Sequence, residues 1–272
     1  MNTSIDTATT VRAWLLAFFA REDAVYEHYQ STYQARTTPA KILYLFLYLL
    51  PGFVAFACIN VQPIFRAEMA LTGLSAKYLQ YAWVLIITFG WHMFVPFATL
   101  KFSDKLSPRE ILAFLGLNRV DWRGLFLVLP VFFILFAVIS IPYIKFVAPI
   151  IEGWTQAIPF FRIPSYSIFQ DTPENLYSFP PLALLILGIG NFFGEEIYFR
   201  GYLMKKTAFL GKINWIVNSV LFALYHLWQV QQTWPMIGLV LAFGLLMALR
   251  KDIYVLIAFH FLANMWMAYA PI

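Results

Sequence analysis

Ionisable side chains interrupt the most apolar stretches of the C-terminal third of this sequence. Such groups are costly to bury in an apolar environment, so each one is a candidate for function. Their residue types suit proton transfer, hydrogen bonding to an oxyanion or metal binding. The candidates are Glu195, Glu196 and Arg200, followed by His226, and then by His260 and Asn264.

The two adjacent glutamates are predicted to have different roles. Glu196 and Arg200 are four residues apart, so they share one helical face and can form an ion pair that anchors the helix. Glu195 points about a quarter-turn away and stays available for chemistry. Neighbouring carboxylates resist simultaneous ionisation, which suits Glu195 to take up and return a proton. Gly190 and Gly194 precede the pair and predict close approach of another helix.

The histidines leave two chemistries open. His260 and Asn264 are four residues apart and present an imidazole and a carboxamide from one helical face. In one reading, Glu195 and His226 polarise a water that attacks a carbonyl, while His260 and Asn264 stabilise the oxyanion. In the other, Glu195, His226 and His260 bind a divalent metal such as zinc, with water in the open position. The spacing does not separate these alternatives.

The composition of the chain predicts a membrane as its solvent. Of 272 residues, 61% are hydrophobic and 12% are charged, which is about half the ~25% charge of a soluble domain. This excludes an ordinary soluble enzyme. The single cysteine, Cys58, excludes an internal disulfide and a cysteine-cluster metal site. The net charge of +5 reports topology rather than nucleic-acid binding.

Seven windows approach the ~20 apolar residues that a spanning helix needs. The sequence therefore predicts an all-α, polytopic helix bundle, with kinks rather than helix ends at Pro51, Pro96, Pro130 and Pro142. The predicted spans are Ile42–Val61, Tyr78–Leu100, Leu125–Ile150, Pro181–Leu203, Ile213–Val230, Trp234–Leu249 and Ile253–Ala270.

Basic residues alternate between the connections. Lysine and arginine concentrate in the second, fourth and sixth connections, whereas the third carries Glu152, Asp171 and Glu174, and the fifth has no charge. By the positive-inside rule, the N-terminus is cytoplasmic and the protein lies in a cell membrane, plasma or inner.

Three regions are expected along the chain. Residues 1–40 form an amphipathic, interfacial segment around the apolar run Val11–Ala20. Residues 41–180 form a transmembrane region with a cytoplasmic helix that begins at Ser107 and an outer cap over residues 152–180. Residues 181–272 form the core with the candidate site. We assign His28 to the surface and His92 to packing or hydrogen bonding.

The three late motifs resemble one known family. Glu195-Glu196-x-x-x-Arg200, Phe222-x-x-x-His226 and His260-x-x-x-Asn264 occur in this order on successive late spans. This is similar to the CPBP family, which contains CAAX proteases and bacteriocin-processing enzymes and includes type II CAAX prenyl endopeptidases. The resemblance covers residues 180 to 270.

The resemblance implies an intramembrane endopeptidase. In the family, the residues matching Glu195 and His226 activate water, and those matching His260 and Asn264 form the oxyanion site. Glu196, Arg200 and Phe222 would support the site. The implied substrate is a membrane-associated protein or peptide cleaved near its membrane-bound end, prenylated or not. Members of the family are often described as metalloproteases, and a metal-independent glutamate mechanism is also argued for them.

Two other functions fit parts of the pattern. A non-catalytic binding, immunity or scaffold protein would keep the motifs for structure. An ion-coupled transporter would use Glu195 and the histidines as a proton relay, but the two halves of the chain show no matching pair of broken helices.

Overall fold

The computed structural model describes residues 13–162 and 179–269, apart from residue 16. Regular structure in these residues is helical, which confirms the all-α bundle. Five apolar segments are long enough to cross a membrane. The helices are α1 (Ala24–Tyr33), α2 (Thr38–Asn60), α3 (Gln62–Thr72), α4 (Ala76–Phe102), α5 (Pro108–Leu115), α6 (Gly124–Ala157), α7 (Pro181–Lys206), α8 (Asn214–Tyr225), α9 (Ile237–Arg250) and α10 (Ile253–Tyr269).

The longest apolar segment, Ala208–Arg250, contains two helices that pack against each other. Gly244 of α9 lies against the Trp215 backbone of α8, where an added Cβ would come within 2.3 Å of the Trp215 carbonyl oxygen. Nearer the turn, the Phe222 ring meets that of Phe243 at 6.3 Å. Helices α8 and α9 are joined by short helical turns over residues 226–236.

Within the predicted fifth span, Ile213–Val230, the α-helix covers Asn214–Tyr225. Helix α8 ends at Tyr225, and His226 has ψ 38°, outside the helical range. His226 therefore lies at the end of the α-helix, at the start of a 3-10 turn, and within the apolar segment Ala208–Arg250. The physical reason is local, because the His226 side chain bonds the Phe222 carbonyl through Nδ1 at 3.0 Å and Pro235 follows in the turn.

Helix α7 is the most enclosed span. Every residue from Gly194 to Thr207 is buried, including two glutamates, an arginine and two lysines. Its backbone is π-helical over Gly190–Gly194 and Glu196–Leu203, a wide-turned form that occurs often at functional sites.

The predicted close approach at the two glycines is confirmed. A Cβ at Gly190 would lie 2.6 Å from Thr88 Oγ1, and one at Gly194 would lie 2.1 Å from the Thr88 carbonyl oxygen. Helices α7 and α4 therefore touch through backbone atoms directly beside Glu195. Helix α4 continues through Pro96, and α2 through Pro51, as predicted.

The polar stretch near the N-terminus is tied to the C-terminal third by ion pairs. Arg21 Nη1 lies 3.3 Å from Asp252 Oδ2, just before α10, and Lys251 pairs with Glu27. Asp23 caps α1 and lies 2.6 Å from Arg119 Nη1. Residues 13–15 and 17–19 are helical. The first twelve residues of the predicted interfacial segment lie outside the described residues.

A helix, α5, begins after Ser107, where the sequence predicts a helix start. Ser107 and Glu110 form a reciprocal capping box around Pro108, and Gly116 ends the helix with φ 79°. The outer cap predicted over residues 152–180 is described only at its two ends: α6 extends to Ala157, and residues 163–178 lie outside the described residues.

Candidate active site

The four predicted catalytic residues line one cavity of about 470 Å³. It lies between α6, α7, α8, α9 and α10 and beside the 226–236 turn. Its lining combines apolar side chains with four carboxamides and one hydroxyl. The lining residues are Phe136, Asn191, Glu195, Phe222, His226, Gln229, Gln232, Thr233, Met236, Leu239, Val240, Phe243, His260, Ala263, Asn264 and Met267.

Glu195 faces His226 across a gap. His226 Nε2 lies 3.8 Å from Glu195 Oε1, which is too long for a direct hydrogen bond. The Phe222 carbonyl can only accept, so the hydrogen bond to it places a proton on His226 Nδ1. In the neutral ring, Nε2 is then an acceptor on the side of Glu195. A carboxylate and an imidazole acceptor at this spacing can hold a water between them.

Glu196 has more partners than the sequence predicted. The predicted ion pair is present, with Arg200 Nη1 3.2 Å from Glu196 Oε1, and both side chains are fully buried. The same oxygen also lies 2.9 Å from His260 Nδ1. Glu196 therefore connects α7 to α10 and fixes the imidazole, so that the other ring nitrogen of His260 remains for the cavity.

Phe222 lies at the centre of the supporting residues. The Arg200 guanidinium carbon is 3.9 Å from the Phe222 ring centroid, a cation–π distance. The same ring contacts His226 edge-on at 4.9 Å and His260 at 6.4 Å. Phe222 thus packs against both histidines and covers the arginine that pairs with Glu196.

The side chains around the cavity bear on the metal alternative. No group of three His, Cys, Asp or Glu side chains in the described part of the chain is arranged to hold a metal ion. The described donors do not fit a three-ligand centre, so no catalytic step is derived through a metal.

The sequence reasoning missed the residue that bonds Glu195 directly. The Tyr225 hydroxyl donates to Glu195 Oε1 at 3.3 Å, although Tyr225 was not predicted as part of the site. Its position next to His226 was the available signal. Asn191 and Gln229 also line the cavity without having been predicted.

Of the two predicted roles of His92, packing and hydrogen bonding, the structure shows packing. Its ring stacks on Tyr198 with centroids 4.9 Å apart and meets Tyr225 edge-on at 5.2 Å. Within the described residues, neither ring nitrogen has a hydrogen-bond partner. His92 therefore belongs to the aromatic packing behind Glu195.

Comparison with protein families gives a match over the region that contains the cavity. Residues 177–266, about a third of the chain, match the family model described as type II CAAX prenyl endopeptidase Rce1-like. A search of curated proteins and a search of solved structures give no match. The matched range contains all three motifs that predicted this resemblance. The late helices of this chain, α7 to α10, are therefore similar to the type II CAAX prenyl endopeptidase Rce1-like family.

Proposed function

We propose that this protein is an intramembrane endopeptidase that hydrolyses a peptide bond near the membrane-associated end of a protein or peptide. Glu195 is the general base, His226 holds the attacking water, and His260 with Asn264 stabilises the oxyanion. The observation that carries the proposal is the convergence of these four side chains on one cavity within a bundle of apolar helices. The family match supports the class of reaction.

The first step is attack by water. A water between Glu195 Oε1 and His226 Nε2 gives its proton to the carboxylate while its oxygen bonds to the scissile carbonyl carbon. The carbonyl electron pair moves onto oxygen and forms an oxyanion. Asn264 donates to this charge through its amide N–H groups. His260 donates to it in the imidazolium form, which has a proton on both ring nitrogens: Nδ1–H bonds Glu196 and Nε2–H bonds the oxyanion.

Collapse of the tetrahedral intermediate completes hydrolysis. The carbonyl re-forms, the C–N bond breaks, and the proton held by Glu195 passes to the leaving amine. One water is consumed, and the products are a carboxylic acid and an amine. The Glu196–Arg200 pair keeps the His260 ring in place throughout, because Glu196 Oε1 bonds His260 Nδ1.

The lining of the cavity favours one kind of substrate segment. Phe136, Leu239, Val240 and Phe243 form an apolar wall, which suits aliphatic or aromatic side chains beside the scissile bond. Lysine and arginine do not line the cavity as described. A substrate is therefore held by apolar contacts and backbone hydrogen bonds rather than through an acidic side chain.

The test is cleavage of a peptide panel by the purified protein in detergent. The panel contains fluorogenic membrane-tail peptides and prenylated CAAX peptides, each with and without a chelator. We expect wild type to cleave at least one peptide in the presence of chelator and Glu195→Gln to leave all of them intact. Glu152→Gln, at an exposed glutamate of α6, is the matched control.

Two results would contradict the proposal. Binding of a panel peptide by folded wild type without cleavage favours the binding or immunity alternative. Cleavage that is lost with the chelator and restored by zinc favours metal-dependent hydrolysis instead of the glutamate–water mechanism.

A further inference from the structure

We propose that Tyr225 is a positioning residue of this site, which fixes the Glu195 carboxylate by a hydrogen bond from outside the cavity. The inference rests on the proposed function. The Tyr225 hydroxyl donates to Glu195 Oε1 at 3.3 Å, and the tyrosine is fully buried. It is not among the residues that line the cavity, so its hydroxyl contacts Glu195 rather than a substrate.

The two oxygens of Glu195 have different surroundings. Oε1 receives the Tyr225 hydroxyl and is the oxygen that faces His226 Nε2 at 3.8 Å. Within the described part of the chain, no hydrogen bond to Oε2 is found. The tyrosine thus selects the rotation of the carboxylate that directs Oε1 to the water site. Without the hydrogen bond from Tyr225, the Glu195 carboxylate would have to rotate into this orientation in every catalytic cycle.

Tyr225 is itself rigidly held. Its ring meets Phe199 at 5.0 Å, His92 at 5.2 Å and His226 at 4.5 Å. On the backbone side, a Cβ at Gly52 would lie 1.9 Å from the Tyr225 carbonyl oxygen, so α2 contacts this residue directly. A hydroxyl on a ring enclosed in this way is ordered before substrate arrives, as pre-organised catalysis requires.

The position of Tyr225 also links the two water-binding groups. It is the last residue of α8, and His226 follows where the helix ends. Any shift of this helix end moves the donor to Glu195 and the His226 imidazole together. Tyr225 therefore couples the geometry of the general base to that of its water-holding partner.

The experiment compares Tyr225→Phe with Tyr198→Phe in the peptide-cleavage assay. Tyr198 is the matched control, because its hydroxyl is also buried but bonds the Leu47 carbonyl at 2.7 Å, and its ring packs on the same Phe199. Loss of a hydrogen bond to a charged group is expected to lower kcat by about 10- to 100-fold in Tyr225→Phe, with KM within about twofold. Tyr198→Phe is expected to keep kcat within about threefold of wild type.

Three results would overturn the inference. They are an unchanged kcat in Tyr225→Phe, equal losses of kcat in both variants, and a rise in KM alone, which would assign Tyr225 to substrate binding. In each case wild type cleaves and Glu195→Gln does not, so the proposed function survives. Absence of cleavage by wild type would instead defeat the proposed function itself.

A third variant keeps the test decisive if Tyr225→Phe does not fold. Replacement of Tyr225 by 4-aminophenylalanine preserves the ring and supplies an N–H donor in place of the hydroxyl. Recovery of kcat to within about tenfold of wild type supports the positioning role. A folded 4-aminophenylalanine protein with no activity contradicts it.

Discussion

Helices α6 and α7 belong to the same bundle but differ in the exposure and polarity of their side chains. Helix α6 is the more hydrophobic, and its Phe126, Val138 and Ile139 are each more than 60% exposed. In α7 the run Gly194–Thr207 is buried and contains Glu195, Glu196 and Arg200. Lipid tolerates apolar side chains, whereas ionised ones need partners inside the protein. The least hydrophobic of the five apolar segments therefore contains the proposed general base, whereas the most hydrophobic one contributes only Phe136 to the lining of the cavity.

The ion pair on α7 gives the sharpest test of this contrast. Arg200→Met would leave the Glu196 carboxylate buried without its cation, which is expected to destabilise the fold by about 3–5 kcal/mol. Arg66→Met, at an exposed position of α3, is expected to change stability by no more than about 0.5 kcal/mol. Denaturant unfolding in mixed micelles measures both. Similar effects at the two arginines would contradict the account.

The glycines beside the site give a second, smaller test. Gly194→Ala places a methyl group 2.1 Å from the Thr88 carbonyl oxygen and is expected to destabilise by about 1–3 kcal/mol while separating α7 from α4. Gly153→Ala on α6 meets nothing within 4 Å and is expected to be neutral or stabilising by up to about 1 kcal/mol. The thermal unfolding midpoint should fall in Gly194→Ala and stay unchanged or rise in Gly153→Ala. A Gly194→Ala protein as stable as Gly153→Ala would show that α7 has room to move.

The smallest effect on stability is expected outside the membrane spans, at the capping box of α5. Hydrogen bonds from the Ser107 side chain and backbone lower the pKa of Glu110 below its ordinary value. The stabilisation by this carboxylate is present above the ordinary pKa of a glutamate and is lost as the pH falls through the lowered value. In Ser107→Ala, the pKa of Glu110 should move back towards the ordinary value, measured by NMR titration. An unchanged titration would show that the capping box does not act on Glu110 in solution.

The sequence alone predicts much of this arrangement, for reasons of helical geometry. The Glu196–Arg200 pair follows from a spacing of four, and the backbone contact at Gly190 and Gly194 follows from small residues at the same spacing. The Glu196–His260 bond joins residues 64 positions apart and depends on how α7 packs on α10. No local pattern contains that information.

Tyr225 shows a second limit of sequence reasoning. In a continuous helix, neighbouring residues point about 100° apart, so Tyr225 and His226 would not both approach Glu195. They do so because α8 ends at Tyr225, and the exact residue at which a helix ends is among the weakest predictions that a sequence allows.

The two adjacent glutamates are proposed to have separate roles, Glu195 in catalysis and Glu196 in the stability of the site. The most direct measurement is kcat and unfolding free energy for Glu195→Gln and Glu196→Gln, side by side. We expect Glu195→Gln to lower kcat by about 10²- to 10⁴-fold while the protein stays folded. Glu196→Gln should lose stability by about 3 kcal/mol or more, because Arg200 is left without its carboxylate. A Glu195→Gln protein that still cleaves peptides at the wild-type rate would contradict the account.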